Sequence, residues 1–208
     1  MGLKHQAAFA RKWRAAIRDV EQHFPAYLPP LMFLTDPQRI KDPISAVAHL
    51  PAGAGVIYRH FGAEDRTDVA GALSEICQFE RRPLLIAADP ILALSVGADG
   101  VHWPEARLSD ARHWRGHFRL QTASAHSARA IRRAASSGMD AVLVSSVFPS
   151  KSPSASAPLN RTRFRMLARQ ATLPVYGLGG IESHNADQIS GCAGISGVSS
   201  FASLSGAD

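Results

Sequence analysis

Apolar residues recur at helical spacing through the first segment of the chain. Phe9, Trp13, Ala16, Ile17, Val20 and Phe24 fall on one face, with charged residues between them. The spacing predicts one helix from Lys4 to Phe24 with a single buried stripe. Pro25, Pro29 and Pro30 then end it. Beyond them the pattern changes to short apolar runs separated by helical stretches. The runs are Leu31–Thr35, Gly55–Arg59, Leu84–Ala88, Gly100–Trp103, Leu120–Ser124, Ala141–Val147, Val175–Leu178 and Ile195–Ser199. Many are almost continuously apolar, as strands covered on both faces are.

Strand followed by helix, repeated to the end of the chain, predicts an α/β fold: a closed, parallel (β/α)8 or TIM barrel in a single domain. The barrel is expected over residues 29–208, preceded by the amphipathic helix in residues 1–28. Nine residues follow Ser199, too few for a full eighth helix. The opening helix is therefore expected to take that place and to pack over the seam between the first and eighth strands.

Composition narrows the class further. Hydrophobic residues make up 46% of the 208, enough for a real core. No apolar run has membrane-spanning length and no signal peptide is evident, so a cytoplasmic protein without membrane contact is expected. Cys77 and Cys192 lack metal-ligand spacing and read as two reduced core cysteines. The formal charge of +6 is compatible with phosphate esters, diphosphates or nucleic acid. The run Arg11, Lys12, Arg14 and Arg18 reads as a solvated helix face, and no aromatic-and-basic module is present. A small-molecule phosphate ester is the expected partner, in preference to nucleic acid.

Candidate chemistry gathers where the strands end, on the barrel face that carries the active site in this architecture. Gly177-Leu178-Gly179-Gly180-Ile181 follows strand seven, and Val198-Ser199-Ser200 closes strand eight. Glycines let backbone amides approach an anion, and a helix start after strand eight would add donors. Gly179, Gly180, Val198, Ser199 and Ser200 are thus the expected phosphate rim. His126 follows strand five in Ser124-Ala125-His126 and is either a proton shuttle or a capping and packing residue. Arg59 ends strand two and either clamps a phosphate or joins an ion pair in the rim. His102 faces either the lumen or the outer layer, and its bland reading is a satisfied core histidine. Pro149–Pro158, rich in Ser and Pro, reads as a mobile loop over the mouth. No G-x-S-x-G elbow surrounds Ser124, Ser145 or Ser146, which sets serine hydrolysis aside. The remaining histidines follow no metal-ligand spacing.

From about Leu31 to Phe201 the sequence resembles the thiamine phosphate synthase and TenI superfamily. The resemblance is carried by Leu31-Met32-Phe33-Leu34-Thr35-Asp36, Gly97-Ala98-Asp99-Gly100-Val101-His102, Ser124-Ala125-His126, Val147-Phe148-Pro149, Gly179-Gly180-Ile181 with Asn185, and Val198-Ser199. It implies one of two activities. A synthase joins a pyrimidine methyl diphosphate to a thiazole phosphate, with Mg²⁺ on the departing diphosphate. A tautomerase moves a proton on a thiazole phosphate carboxylate, using a histidine that His126 matches. The resemblance places the thiazole phosphate at Gly179, Val198 and Ser199, the loop contacts at Ser150 and Ser152, and the diphosphate contact at Arg59. It also implies a homodimer.

Several positions depart from the synthase pattern. Ile57 and Phe61 stand where polar residues flank the strand-two arginine, and Ala87-Ala88-Asp89 stands in place of Asn-Asp-Arg. Arg107 falls on the second magnesium carboxylate, and Pro153 on the loop lysine, with Lys151 close by. A hard cation needs oxygen ligands, which the side chains of Ala88 and Arg107 do not supply; only Asp36 or Asp89 could replace them. The expectation is a thiazole phosphate or similar phosphate ester held without a cofactor, with tautomerase-like proton transfer through His126. Mg²⁺ enters only if synthase activity is retained. Two alternatives stand beside it: an active synthase with an altered metal site, and a non-catalytic phosphate-ligand-binding or regulatory protein.

Overall fold

A computed structural model describes residues 3–150 and 157–198, with the backbone alone for residues 3–7. Eight parallel strands pair in sequence order, and β8 closes on β1. The strands are β1 (Leu31–Leu34), β2 (Gly55–Tyr58), β3 (Leu84–Ala87), β4 (Gly100–Trp103), β5 (Leu120–Ala125), β6 (Ala141–Ser145), β7 (Val175–Leu178) and β8 (Gly194–Gly197). Most of their residues are buried, because helices cover the outside and side chains fill the inside.

The outer layer holds α1 (Leu3–Glu21), α2 (Pro43–Ala48), α3 (Arg66–Phe79), α4 (Pro90–Ser95), α5 (Leu108–His113), α6 (Ala128–Ser136), α7 (Asn160–Gln170) and α8 (Asp187–Ser190). Two of the short helices start by the same device. Asp42 and Asp89 each accept the amide three residues on, and a proline follows each at the first helical position.

The first helix uses the stripe its spacing predicted. Ala10, Trp13, Ala16 and Val20 are buried. It packs against α8, where the Ser190 hydroxyl donates to Asp19 over 2.5 Å. Just past it, Phe24 meets Tyr176 of β7 edge-on, with ring centroids 4.9 Å apart. Tyr176 in turn donates to the carbonyl of Pro29 over 2.6 Å, and the Ile195 amide donates to Pro30 over 3.1 Å. The proline segment after α1 is thereby tied to β7 and β8.

One glycine fixes the packing of β4 on β5. A Cβ on Gly100 would sit 1.6 Å from the Leu120 carbonyl oxygen, so no larger residue fits without parting the strands. Among the described residues no helix is long and apolar enough to cross a membrane. Cys77 is buried and Cys192 half-buried, both as free thiols.

Candidate active site

Side-chain alternation sorts the residues near the mouth. On β4 and β5, Trp103 Nε1 donates to Gln121 Oε1 over 2.8 Å, and Gln121 Nε2 donates to the Trp114 carbonyl beside α5. That pair faces the outer layer. Strand periodicity then turns His102, Thr122 and Ser124 to the lumen. His102 Nδ1 lies 2.9 Å from Thr122 Oγ1, and Nε2 lies 3.0 Å from Ser124 Oγ. Both ring nitrogens are engaged, so His102 is a satisfied histidine of the barrel interior. Burial, with help from the nearby Arg59 guanidinium, pushes it down to about 3. Ser124, next to last in β5, is half-buried and bonded to His102.

His126 follows β5 by one residue and is exposed at the rim. Its Nδ1 donates to Glu105 over 3.1 Å. Glu105 opens a short 3-10 turn, Glu105–Arg107, directly after β4, and also meets Arg133 of α6 at 3.7 Å. A carboxylate accepts only, so the bond puts a proton on Nδ1, and in the neutral imidazole the Nε2 lone pair is then available. Glu105 was not singled out in the sequence. The signal for it was a carboxylate two residues past the strand-four tryptophan.

Arg59 stands across the mouth, at the end of β2. Its amide donates to Thr35 Oγ1 over 2.8 Å. Burial lowers its guanidinium from the ordinary value, and Asp36 offsets part of that. Its charge is felt at His102 of β4.

The glycine rim has a backbone logic. Gly179 and Gly180 both take left-handed conformations, with φ of 94° and 66°. A Cβ on Gly180 would sit 2.4 Å from the Pro149 carbonyl oxygen, and one on Gly179 would sit 3.1 Å from Ser146 Cβ. The loop after β6 is docked here, through the Val147 amide on Leu178 (2.9 Å) and the Phe148 amide on Gly179 (3.0 Å). Asn185 holds the other side: it donates to the Gly180 carbonyl over 3.0 Å and accepts the Glu182 amide over 2.8 Å. No acceptor among the described residues takes the amides of Gly179, Gly180 or Val198. The pairing of Gly177 with Ile195 brings Gly179 and Val198 to the same end of neighbouring strands. His126 lies two strands further round, roughly 10 Å away at strand spacing.

Of the expected site residues, the structure therefore brings His126, Arg59, Gly179, Gly180 and Val198 to one face. Ser150 is half-buried in the loop after β6. Lys151, Ser152, Ser199 and Ser200 lie outside the described residues, as does most of the Ser-rich loop.

Comparison with known proteins agrees with this architecture. A family model described as thiamine monophosphate synthase matches residues 31–202. The chain belongs to the thiamine monophosphate synthase family. A thiamine-phosphate synthase of Bacillus velezensis is 32% identical over 80% of this chain and 79% of its own length. One of Methylobacillus flagellatus is 34% identical over 76% of this chain and 81% of its own. The solved thiamine phosphate pyrophosphorylase from Pyrococcus furiosus superposes with a TM-score of 0.72 at 23% identity, covering 83% of this chain and 87% of its own; it shows the shared fold.

The Mg²⁺ that this family implies does not fit the residues present. Asp36 accepts Arg39 Nε and Nη2 at 3.1 and 2.9 Å and also the Gln38 amide. Burial alone would raise its carboxyl, yet these bonds, with the charges of Arg39 and Arg59, hold it below the usual range. Asp89 caps α4 and accepts Arg66 over 2.6 Å. Its carboxyl is also held low, burial being outweighed by the Leu92 amide and Arg66. Arg107 donates to the Ala88 carbonyl over 2.7 Å, while Arg66 approaches the Ala87 carbonyl at 3.4 Å. Guanidinium groups thus cover the end of β3, and no group of three or more potential ligands occurs among the described residues. Ala88 itself is left-handed, with φ of 57°, a costly conformation outside glycine.

Proposed function

We propose that this family member binds a small phosphate ester of the thiazole phosphate class and moves a proton on it through His126. The observation that carries the reading is the His126–Glu105 bond at the rim. An imidazole whose Nδ1 proton is committed to a carboxylate presents Nε2 as a base in fixed orientation. His126 Nε2 would take a proton from one end of a three-atom conjugated unit and return it at the other end, so that the double bond moves by one position without net change in atoms. The amides of Gly179, Gly180 and Val198, which no acceptor among the described residues takes, support a dianionic group two strands away, where amide dipoles and short hydrogen bonds favour negative charge. Arg59 would balance a carboxylate on the far side of the mouth.

Turnover of a thiazole phosphate carboxylate by wild type and His126→Ala tests this. A loss of about 10²–10⁴-fold in kcat with binding retained is expected from removing a general base. Unchanged turnover rejects the mechanism. The synthase reading is favoured by the names of the curated relatives. An assay with both substrates and Mg²⁺ decides it, and the absence of thiamine phosphate rejects it. Tight ligand binding with no turnover in either assay would favour a silent binding protein.

A further inference from the structure

We infer a second anion site on the opposite face of the barrel, in a cleft that would hold a small phosphate-bearing molecule. The cleft encloses about 320 Å³ at the N-terminal ends of β3 and β4. Its walls include Cys77 and Gln78 of α3, Leu84 opening β3, Asp99 before β4, and the three cations Arg81, Arg82 and Arg119. That volume lies at the lower end of the range for small-molecule sites, about 300–1,000 Å³. The position is remote from the mouth, because Leu84 begins the strand whose other end carries Ala87.

Arg82 gives the strongest reason to expect a ligand. Its side chain is 2% exposed. Its contacts are long: the Leu50 carbonyl at 3.4 Å, the Pro51 carbonyl at 3.5 Å and the Glu80 carboxylate at 3.5 Å. Its Nε is buried without any acceptor. A buried guanidinium normally has short, near-complete hydrogen bonding, because stripping water from a charge is costly. That nitrogen is itself closed to the cleft, so an oxyanion there would answer the poorly compensated guanidinium charge through space and bond directly to the exposed Arg81.

The other charges on the cleft leave it cationic. Asp99 cancels one of the three cations: it accepts the Leu84 amide at 2.9 Å and Arg119 at 3.0 and 2.6 Å, which leaves Arg81 and Arg82 to set the sign. Cys77 adds no negative charge, since burial pushes its thiol up to about 12 despite Arg82. Glu80 is the nearest competing carboxylate, and it is largely solvated. Arg81 adds a second cation from a left-handed backbone, with φ of 52°.

Amide NMR on the full chain, titrated with inorganic phosphate, tests the site. Shifts are expected at Leu84, Gly97 and Asp99, separately from any at Gly179 and Gly180, so the two faces report independently. Arg81→Ala alters an exposed residue and should weaken the Gly97 response about tenfold, as expected for loss of one charge-assisted contact. Arg82→Met keeps the buried volume apolar and should abolish that response; retained Gly179 shifts and an unchanged melting transition would show that the fold is intact. Chloride at equal ionic strength should leave Gly97 unmoved. The inference is overturned if phosphate leaves Leu84, Gly97 and Asp99 unshifted, or if their shifts persist in Arg82→Met.

Discussion

Gly180→Ala perturbs the phosphate rim at one atom. The residue has φ of 66°, and the new methyl would lie 2.4 Å from the Pro149 oxygen and 2.8 Å from Phe148 backbone atoms. Left-handed backbone costs a non-glycine residue about 1–2 kcal/mol. Overpacking against backbone adds about 1–3 kcal/mol more. Gly53→Ala is the control: φ is 78° but nothing lies within 4 Å of the methyl, so it carries the conformational cost alone. At about 2–4 °C per kcal/mol for a chain of this size, Gly53→Ala should lower Tm by about 2–8 °C and Gly180→Ala by about 4–20 °C. The clash also forces the loops after β6 and β7 apart, which disturbs the Gly179 and Gly180 amides. A hydrogen bond to a charged group is worth about 1.5–3 kcal/mol. Loss of two should weaken thiazole phosphate binding by about 100-fold or more. Calorimetric titration and thermal unfolding of the three proteins measure both effects. If Gly180→Ala binds within twofold of wild type, the amides do not hold the phosphate.

Further expectations follow from the interior and the rim. His102 is depressed to about 3 in the fold against about 6.5 when unfolded, so the unfolded chain binds the extra proton. Stability should therefore be full above pH 6.5 and fall by about 1.4 kcal/mol per pH unit down towards 3; denaturation of His102→Gln across that range should show a flatter acid limb, and an unchanged limb assigns it elsewhere. Asp89→Ala removes the α4 cap and the Arg66 partner together, and should cost about 1–3 kcal/mol by urea denaturation; no loss would mean that the ion pair and cap contribute nothing. Because arginines occupy Asp36 and Asp89, thiazole phosphate affinity should be equal with Mg²⁺ and with EDTA, and a change above threefold would show a metal site after all.

The eight strands were legible because each is covered on both faces and so reads as an apolar run. Their ends were less so. Thr35, Arg59, Ala88 and Val147 extend the apolar or β-prone runs, yet leave the ladder to turn at the mouth, Ala88 into a left-handed conformation. The glycines after β7 and the histidine after β5 stood out because residue type and strand position coincide there. The pairings that define their chemistry did not. Glu105 meets His126 from 21 residues away, Arg66 meets Asp89 from 23, and Arg107 reaches Ala88 from 19. Each bridges successive loops that the parallel pairing of neighbouring strands brings together. Arg82 carries no sequence signal of its own, because its burial depends on the loop of Leu50 and Pro51, more than thirty residues away.

A crystal soaked with thiazole phosphate tests the central claim most directly. The phosphate should appear against the amides of Gly179, Gly180 and Val198, with the thiazole ring directed towards His126 Nε2. No density against those amides, or an imidazole turned away from the bound ring, would contradict the account.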